Sequence, residues 1–201
     1  MKLIIVRHGE TDRNANEFLV GHSNVPLNDN GKTQAQKVAQ RLAGEHIDTL
    51  YSSTLTRAKE TAQVIAAAHP HLSIRIDPEL RERDAGEFAH RPVADRKAAQ
   101  LASGLSARDW KPAGGESMRD LKLRTSRWFD AHCRIATNET IVVVSHGLFL
   151  YSLLECAIED GADVEKDEYR LGNAAVTILD IPVEGKTKVI HLNDISHLTK
   201  R

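Results

Sequence analysis

The residues best equipped for chemistry are Arg7 and His8, in Arg7-His8-Gly9-Glu10-Thr11, directly after the apolar run Leu3-Ile4-Ile5-Val6. A neutral imidazole beside a guanidinium joins a nucleophile to an anion binder, the combination that attack on a phosphate requires. The design recurs farther on, where Ile141-Val142-Val143-Val144 leads into Ser145-His146-Gly147. Each run is short and rich in β-branched residues, as expected of a strand buried on both faces of a parallel sheet. In such sheets the ligand crevice lies beyond the carboxyl ends of the strands, where both histidines fall. A strand-end charge and a turn histidine could explain the first site alone; packing does not readily explain two His-Gly strand ends.

The same rule gathers further side chains. A strand at 47–51 runs out through Ser52-Ser53-Thr54-Leu55-Thr56 into Arg57, in the first turn of the next helix. The helix dipole disfavours a cation there unless an anion is bound, so a phosphate between Arg7 and Arg57 would remove the penalty. A strand at 72–76 delivers Leu80-Arg81-Glu82-Arg83-Asp84-Ala85-Gly86 beyond its end, and an acid there could donate a proton. Four consecutive charges make a solvated loop the default for this stretch. Residue types alone do not choose between Glu82, Asp84 and Glu87.

The elements that must carry these residues alternate between β and α patterns, the signature of a sheet covered by helices. A polar loop to about 28 leads into a helix near 30–42, whose Ala35, Val38, Ala39 and Leu42 share one face. Helices are expected at 55–68, weakly at 93–102, from Ser117 as cap, and from Leu148 on. The helix after Ser117 has Met118, Leu121, Trp128 and Phe129 on its apolar face, so Trp128 is expected in the core. Strands at 176–181 and 188–192 form a hairpin-like pair. The looser stretch from about 83 to 116 is the natural lid or specificity segment.

Composition limits the partners. The 201 residues carry a net charge of −1, which gives no field for nucleic acid or an anionic membrane. The longest apolar stretch, 148–154, is too short to span a bilayer, and the amino terminus lacks a signal-peptide pattern, so a cytoplasmic protein acting on small molecules is expected. Cys133 and Cys156 have no metal-type spacing and are expected as reduced core thiols. Of the 10 histidines, those other than His8 and His146 default to the surface. His197, in the tail, is expected there too, with contact to substrate as the alternative.

Together these blocks resemble the histidine phosphatase superfamily, the phosphoglycerate-mutase-like proteins, over nearly the whole chain. The resemblance rests on Arg7-His8-Gly9-Glu10-Thr11 with Asn14, Gly21, Pro26-Leu27 and Gly31-Lys32-Thr33-Gln34-Ala35; on Tyr51-Ser52-Ser53, Leu55, Arg57-Ala58 and Thr61-Ala62; on Leu80-Arg81-Glu82; on Gly114-Gly115-Glu116-Ser117; and on Val144-Ser145-His146-Gly147. It implies one domain over 1–201, a three-layer α/β/α sandwich with a mostly parallel central sheet. It implies further that His8 accepts the phosphoryl group and that Arg7, Arg57 and His146, with Gly147, bind phosphate. Glu82 becomes the general acid and base, and would need a raised pKa from burial or from the substrate's charge. Asn14 and Gly21 would line the pocket, and neither metal nor other cofactor is called for.

Departures from the family pattern bear on substrate. Phe18-Leu19-Val20-Gly21 replaces an Arg-x-Gln-Gly found in many relatives, and Gly86-Glu87-Phe88-Ala89-His90 lacks one carboxylate of a frequent Gly-x-Trp-Glu-Gly. No Arg-Arg block precedes Gly114, whereas mutases use one to hold a phosphoglycerate carboxylate. The compact phosphatase branch is therefore the expectation, with a phosphoglycerate mutase and a non-catalytic phosphate-binding module as alternatives. The substrate and the oligomeric state stay open.

Overall fold

A computed structural model describes residues 1–134, 138–158 and 170–199. Six strands form one sheet: β1 (Lys2–Arg7), β2 (Thr49–Ser53), β3 (Ile74–Asp77), β4 (Thr140–Ser145), β5 (Val176–Asp180) and β6 (Lys188–Asp194). Their order is β3-β2-β4-β1-β5-β6. The first four in that order run parallel, β5 is antiparallel to β1, and β6 returns antiparallel to β5, so the expected terminal pair is present.

The continuous apolar runs are explained by helices on both faces. Leu3, Ile5, Ile141, Val143 and Leu179 face one way, toward α5 (Met118–His132) and α6 (Gly147–Ile158). Ile4, Val6, Val142, Val144, Val176 and Ile178 face the other way, toward α2 (Asp29–Leu42) and α3 (Thr56–Ala67). Alternate residues of one strand thus enter two separate cores, which is the three-layer arrangement. Trp128 is 3% exposed and belongs to the first core, as its helical spacing predicts. Ser117 caps α5 by accepting from Asp120 N–H. α4 (Val93–Ala102) matches its expected span and buries no residue of its own.

The differences are local and have physical causes. β2 starts and ends two residues later than 47–51, because the buried end of the strand carries Ser52 and Ser53, polar residues whose hydroxyls are hydrogen-bonded. A one-turn helix, α1 (Asp12–Ala15), interrupts the polar loop, held by reciprocal Thr11 and Asn14 capping bonds rather than by apolar contacts. A second, α7 (Ser196–Thr199), ends the described chain. Elements of one turn bury too little apolar surface to leave a periodic trace in sequence.

Candidate active site

Sheet register brings the two histidines together. Arg7 pairs with Ser145 across β1 and β4, so the next residue of each strand, His8 and His146, emerges at the same edge. Their ring centroids lie 5.1 Å apart and both are buried. His8 N–H donates to the Ser145 carbonyl at 3.0 Å, which fixes the backbone where β1 ends.

The tautomer of His8 follows from its neighbours. Its Nδ1 lies 2.6 Å from the Gly9 carbonyl, an acceptor only, so Nδ1 carries the proton and donates. Nε2 then keeps its lone pair, toward which Arg57 Nε–H points at 3.2 Å. Burial, then the charges of Arg57 and Arg7, hold the His8 pKa well below 6.5, outweighing the Gly9 bond. The ring is therefore neutral at pH 7, with an available pair on Nε2.

Arg57 is 1% exposed. Besides Nε, its Nη1 donates to Ser23 O and its Nη2 to Gly21 O, each at 3.0 Å. Burial, followed by Arg7, brings its pKa down to about 10 against the attraction of Glu82, so it remains a cation at neutral pH. Gly21, expected to line the pocket, is seen to orient this guanidinium through its carbonyl. Its φ of +52° and an approach that would put a Cβ 2.8 Å from Ala85 Cβ require glycine here.

Two buried nitrogens at this edge lack partners among the described residues: Arg7 Nε and His146 Nδ1. Arg7 is otherwise anchored by Nη1 to Leu171 O at 2.6 Å. His146 Nε2 lies 2.9 Å from Ser53 Oγ, which already accepts Leu55 N–H. Burial, with Arg57, His8 and Arg7 behind it, keeps His146 neutral by lowering its pKa well below 6.5.

Glu82 completes the edge. Its Oε1 accepts the Leu148 and Phe149 N–H groups at 3.2 Å and Arg83 N–H at 2.9 Å, so the carboxylate sits on the amino terminus of α6. A Cβ on Gly147 would stand 3.7 Å from the Arg7 guanidinium carbon and 3.8 Å from Glu82 Oε2, which locates all three together. Asp84 and Glu87, the other acids of this stretch, are engaged elsewhere: Asp84 with His22 and Glu87 with Ala113 N–H. Asn14 keeps its Oδ1 on Thr11 and Asn173, and Asn173 Nδ2 also donates to the carbonyls of His8 and Gly9.

Several positioning residues carried no functional signal of their own. Thr61 accepts Gly9 N–H at 3.1 Å and donates to Arg57 O at 2.9 Å, linking β1 to α3. Arg124 donates to Glu116 through Nε and Nη2 and to the carbonyls of Arg81 and Glu82, so the Gly-Gly-Glu-Ser block supports Glu82 from beneath. His22 reaches the Glu82 carbonyl at 2.7 Å and Asp84 at 3.1 Å. The surface default for the remaining histidines therefore fails for His22. It also fails for His69 and His197, both buried. His197 bonds Ala174 O, and Ala174 N–H donates to the carbonyls of Arg7 and His8, so His197 acts behind the site. The solvated-loop default fails for Arg83, which is 4% exposed. Apart from His69, each of these side chains is tied to backbone distant in sequence, and residue type alone gives no hint of that. The apolar Phe18-Leu19 stretch is a seam, with Leu19 paired to Arg91 and His90 backbone and Phe18 bridged to Pro92.

Among the described residues, no group of three metal-ligating side chains occurs and no helix is long and apolar enough to cross a membrane. The chain is 38% identical to phosphoglycerate mutase-like protein 4 of Arabidopsis thaliana, over 98% of this chain and 86% of that protein. Its fold matches the phosphoserine phosphatase of Entamoeba histolytica with a TM-score of 0.83 at 27% identity, covering 98% of both chains. The α-ribazole phosphatase of Shigella flexneri matches with a TM-score of 0.82 at 28% identity, covering 96% of both. The family profile of the histidine phosphatase superfamily, branch 1, matches residues 3–195, and the chain belongs to that family, whose named relatives act on phosphate esters.

Proposed function

We propose that the protein hydrolyses a small-molecule phosphate monoester through a phosphohistidine on His8. The observation that carries this reading is the pair of unpartnered buried nitrogens, Arg7 Nε and His146 Nδ1, beside the Nε2 lone pair of His8. Buried N–H groups are rarely left unpaired, and an oxyanion at this point would satisfy both.

In the first step His8 Nε2 attacks phosphorus, the N–P bond forms and the ester P–O bond breaks. Glu82 gives its proton to the departing alkoxide. Arg7, Arg57 and His146 take the charge that the transition state spreads over the non-bridging oxygens. Ser53 donates its hydroxyl proton to His146 Nε2, so that Nδ1–H faces the phosphate. In the second step water attacks, its proton passes to Glu82, the N–P bond breaks and inorganic phosphate leaves. A dianionic phosphate arriving beside the Glu82 carboxylate favours the protonated form that the first step needs. Arginine forks supply the positive charge, so the reaction calls for no metal. We place the reaction in the cytoplasm.

The test is phosphate release from a panel of monoesters with and without EDTA. Chelator-resistant release that His8→Ala abolishes supports the reading; activity retained by His8→Ala, or lost with EDTA, overturns it. A second reading, phosphoglycerate mutase, is favoured by the name of the Arabidopsis relative. It predicts interconversion of phosphoglycerates faster than release of phosphate, and dependence on a phosphorylated priming compound.

A further inference from the structure

The turn at 171–175 is laced to the end of β1. Arg7 donates through Nη1 to Leu171 O at 2.6 Å and through its backbone N–H to Ala175 O at 3.3 Å. In return, Ala174 N–H is shared by the Arg7 and His8 carbonyls, both at 3.1 Å. Asn173 Nδ2 donates to the carbonyl of His8 at 3.1 Å and to that of Gly9 at 3.3 Å. The Gly9 carbonyl is the acceptor that holds the proton on His8 Nδ1, so Asn173 touches the group on which the Nε2 lone pair depends.

This turn is both strained and braced. Ala174 is fully buried with a φ of +56°, a conformation that a residue with a Cβ adopts rarely and keeps only where its surroundings over-determine it. The brace comes from the end of β6 and from α7. His197 Nε2 lies 3.1 Å from Ala174 O, an acceptor only, so Nε2 carries the proton and donates. The ring is buried, and its Nδ1 has no partner among the described residues. Asn193, also left-handed at a φ of +49°, accepts Gly172 N–H on Oδ1 at 2.8 Å and fixes its own N–H on Thr177 Oγ1 at 3.0 Å. An apolar side chain would fill the place of His197 without leaving a ring nitrogen unpaired, so packing does not account for a histidine here. Its one hydrogen bond falls on the strained residue whose N–H meets the carbonyl of the nucleophile.

We propose that Asn173 and His197 are positioning residues for the nucleophile: they hold the peptides of His8 and Gly9 so that His8 stays protonated on Nδ1 and keeps its Nε2 lone pair free to attack. Attack by that lone pair rests on the phosphatase reading above; the tautomer does not. The test is nitrogen NMR on protein with isotopically labelled histidine, the His8 signals being assigned by their loss in His8→Ala. Wild type should show His8 as one neutral tautomer, protonated on Nδ1. In Asn173→Ala and in His197→Leu a second His8 form, protonated on Nε2, should appear. The single-turnover rate of His8 phosphorylation by p-nitrophenyl phosphate, per folded molecule, should fall by about ten-fold or more in both, with the half-saturating concentration changed by less than about three-fold. His197→Gln, whose amide nitrogen can take the place of Nε2, should restore the wild-type tautomer and most of the rate. A purely structural role would move the urea midpoint alone. Wild-type His8 protonated on Nε2, variants that keep the wild-type tautomer or the wild-type rate, or a His197→Gln protein no better than His197→Leu, overturns the positioning role. A tautomer that shifts in both variants of a protein that no ester phosphorylates overturns the phosphatase reading and leaves the positioning role standing; equal phosphorylation of His8 in wild type and both variants does the reverse.

Discussion

His8 and His146 are placed by sheet register, whereas Glu82 is placed by a web of loop contacts. At the first location the pairing of Arg7 with Ser145 sets both rings on the ends of strands whose apolar residues are buried. At the second, Glu82 depends on α6 amide groups in front and on Arg124 and His22 behind, with Glu116 holding Arg124 in turn. On the proposed mechanism the contrast separates two jobs. A nucleophile and its oxyanion donors need fixed geometry, which a sheet supplies because moving it would break two cores. A proton donor and the surface that meets the alcohol can sit on a segment that varies without disturbing the sheet.

That division can be broken by experiment. The largest expected effect is at the sheet edge: on the proposed mechanism His8→Ala removes the nucleophile and should lower kcat by on the order of 10⁴-fold or more. Stopped assays of phosphate release measure it. Glu82→Gln should cost roughly 10²–10⁴-fold with an alkyl ester. With p-nitrophenyl phosphate, whose leaving group needs little protonation, the loss should shrink markedly; an equal loss on both substrates would assign Glu82 to binding instead. Arg124→Ala should destabilise the fold by about 3–5 kcal/mol in urea titrations, because it leaves the half-buried Glu116 carboxylate without its guanidinium. A cost near zero would mean that the web behind Glu82 is ornamental.

The smallest effect is on pH dependence, and its sign follows from the two histidines. His8 and His146 have folded-state pKa values well below 6.5, so the unfolded chain binds protons first as pH falls. Their contribution to stability is fully present above about pH 6.5 and declines as pH drops from there toward the folded values, by up to ~1.4 kcal/mol per pH unit for each ring. Urea titrations of His146→Asn between pH 5 and 7 should show a shallower decline than wild type. The same shifts put the acid limb of kcat/KM due to His8 below pH 6.5.

The sheet edge was legible in sequence because its causes are local. An unbroken β-branched run followed by His-Gly states a buried strand and what stands at its end, and this happens twice. Arg57 was legible because a cation in the first turn of a helix calls for an explanation, and its buried hydrogen bonds to Gly21 and Ser23 supply one. Glu82 was different. Its neighbours Asp84 and Glu87 are chemically equivalent, and only the resemblance to a family chose among them. Long-range pairing sets Glu82 apart from them: it meets α6 across 66 residues of chain, and no spacing rule reaches so far. Arg83, His22 and His197 were misplaced for the same reason, since polar residues in loops default to solvent unless a distant partner is known. α1 escaped notice because capping bonds, rather than apolar periodicity, define it, and α7 because a single turn is too short to show a period.

The central claim is the covalent intermediate, and rapid quench followed by peptide mass analysis tests it most directly. Wild-type protein mixed with a slowly hydrolysed monoester and quenched in alkali, where phosphohistidine survives, should carry one phosphoryl group on the peptide containing His8, absent from His8→Ala and increased in Glu82→Gln assayed with p-nitrophenyl phosphate. Steady release of phosphate with no label on His8 at any quench time, or with the label on another residue, would contradict the account.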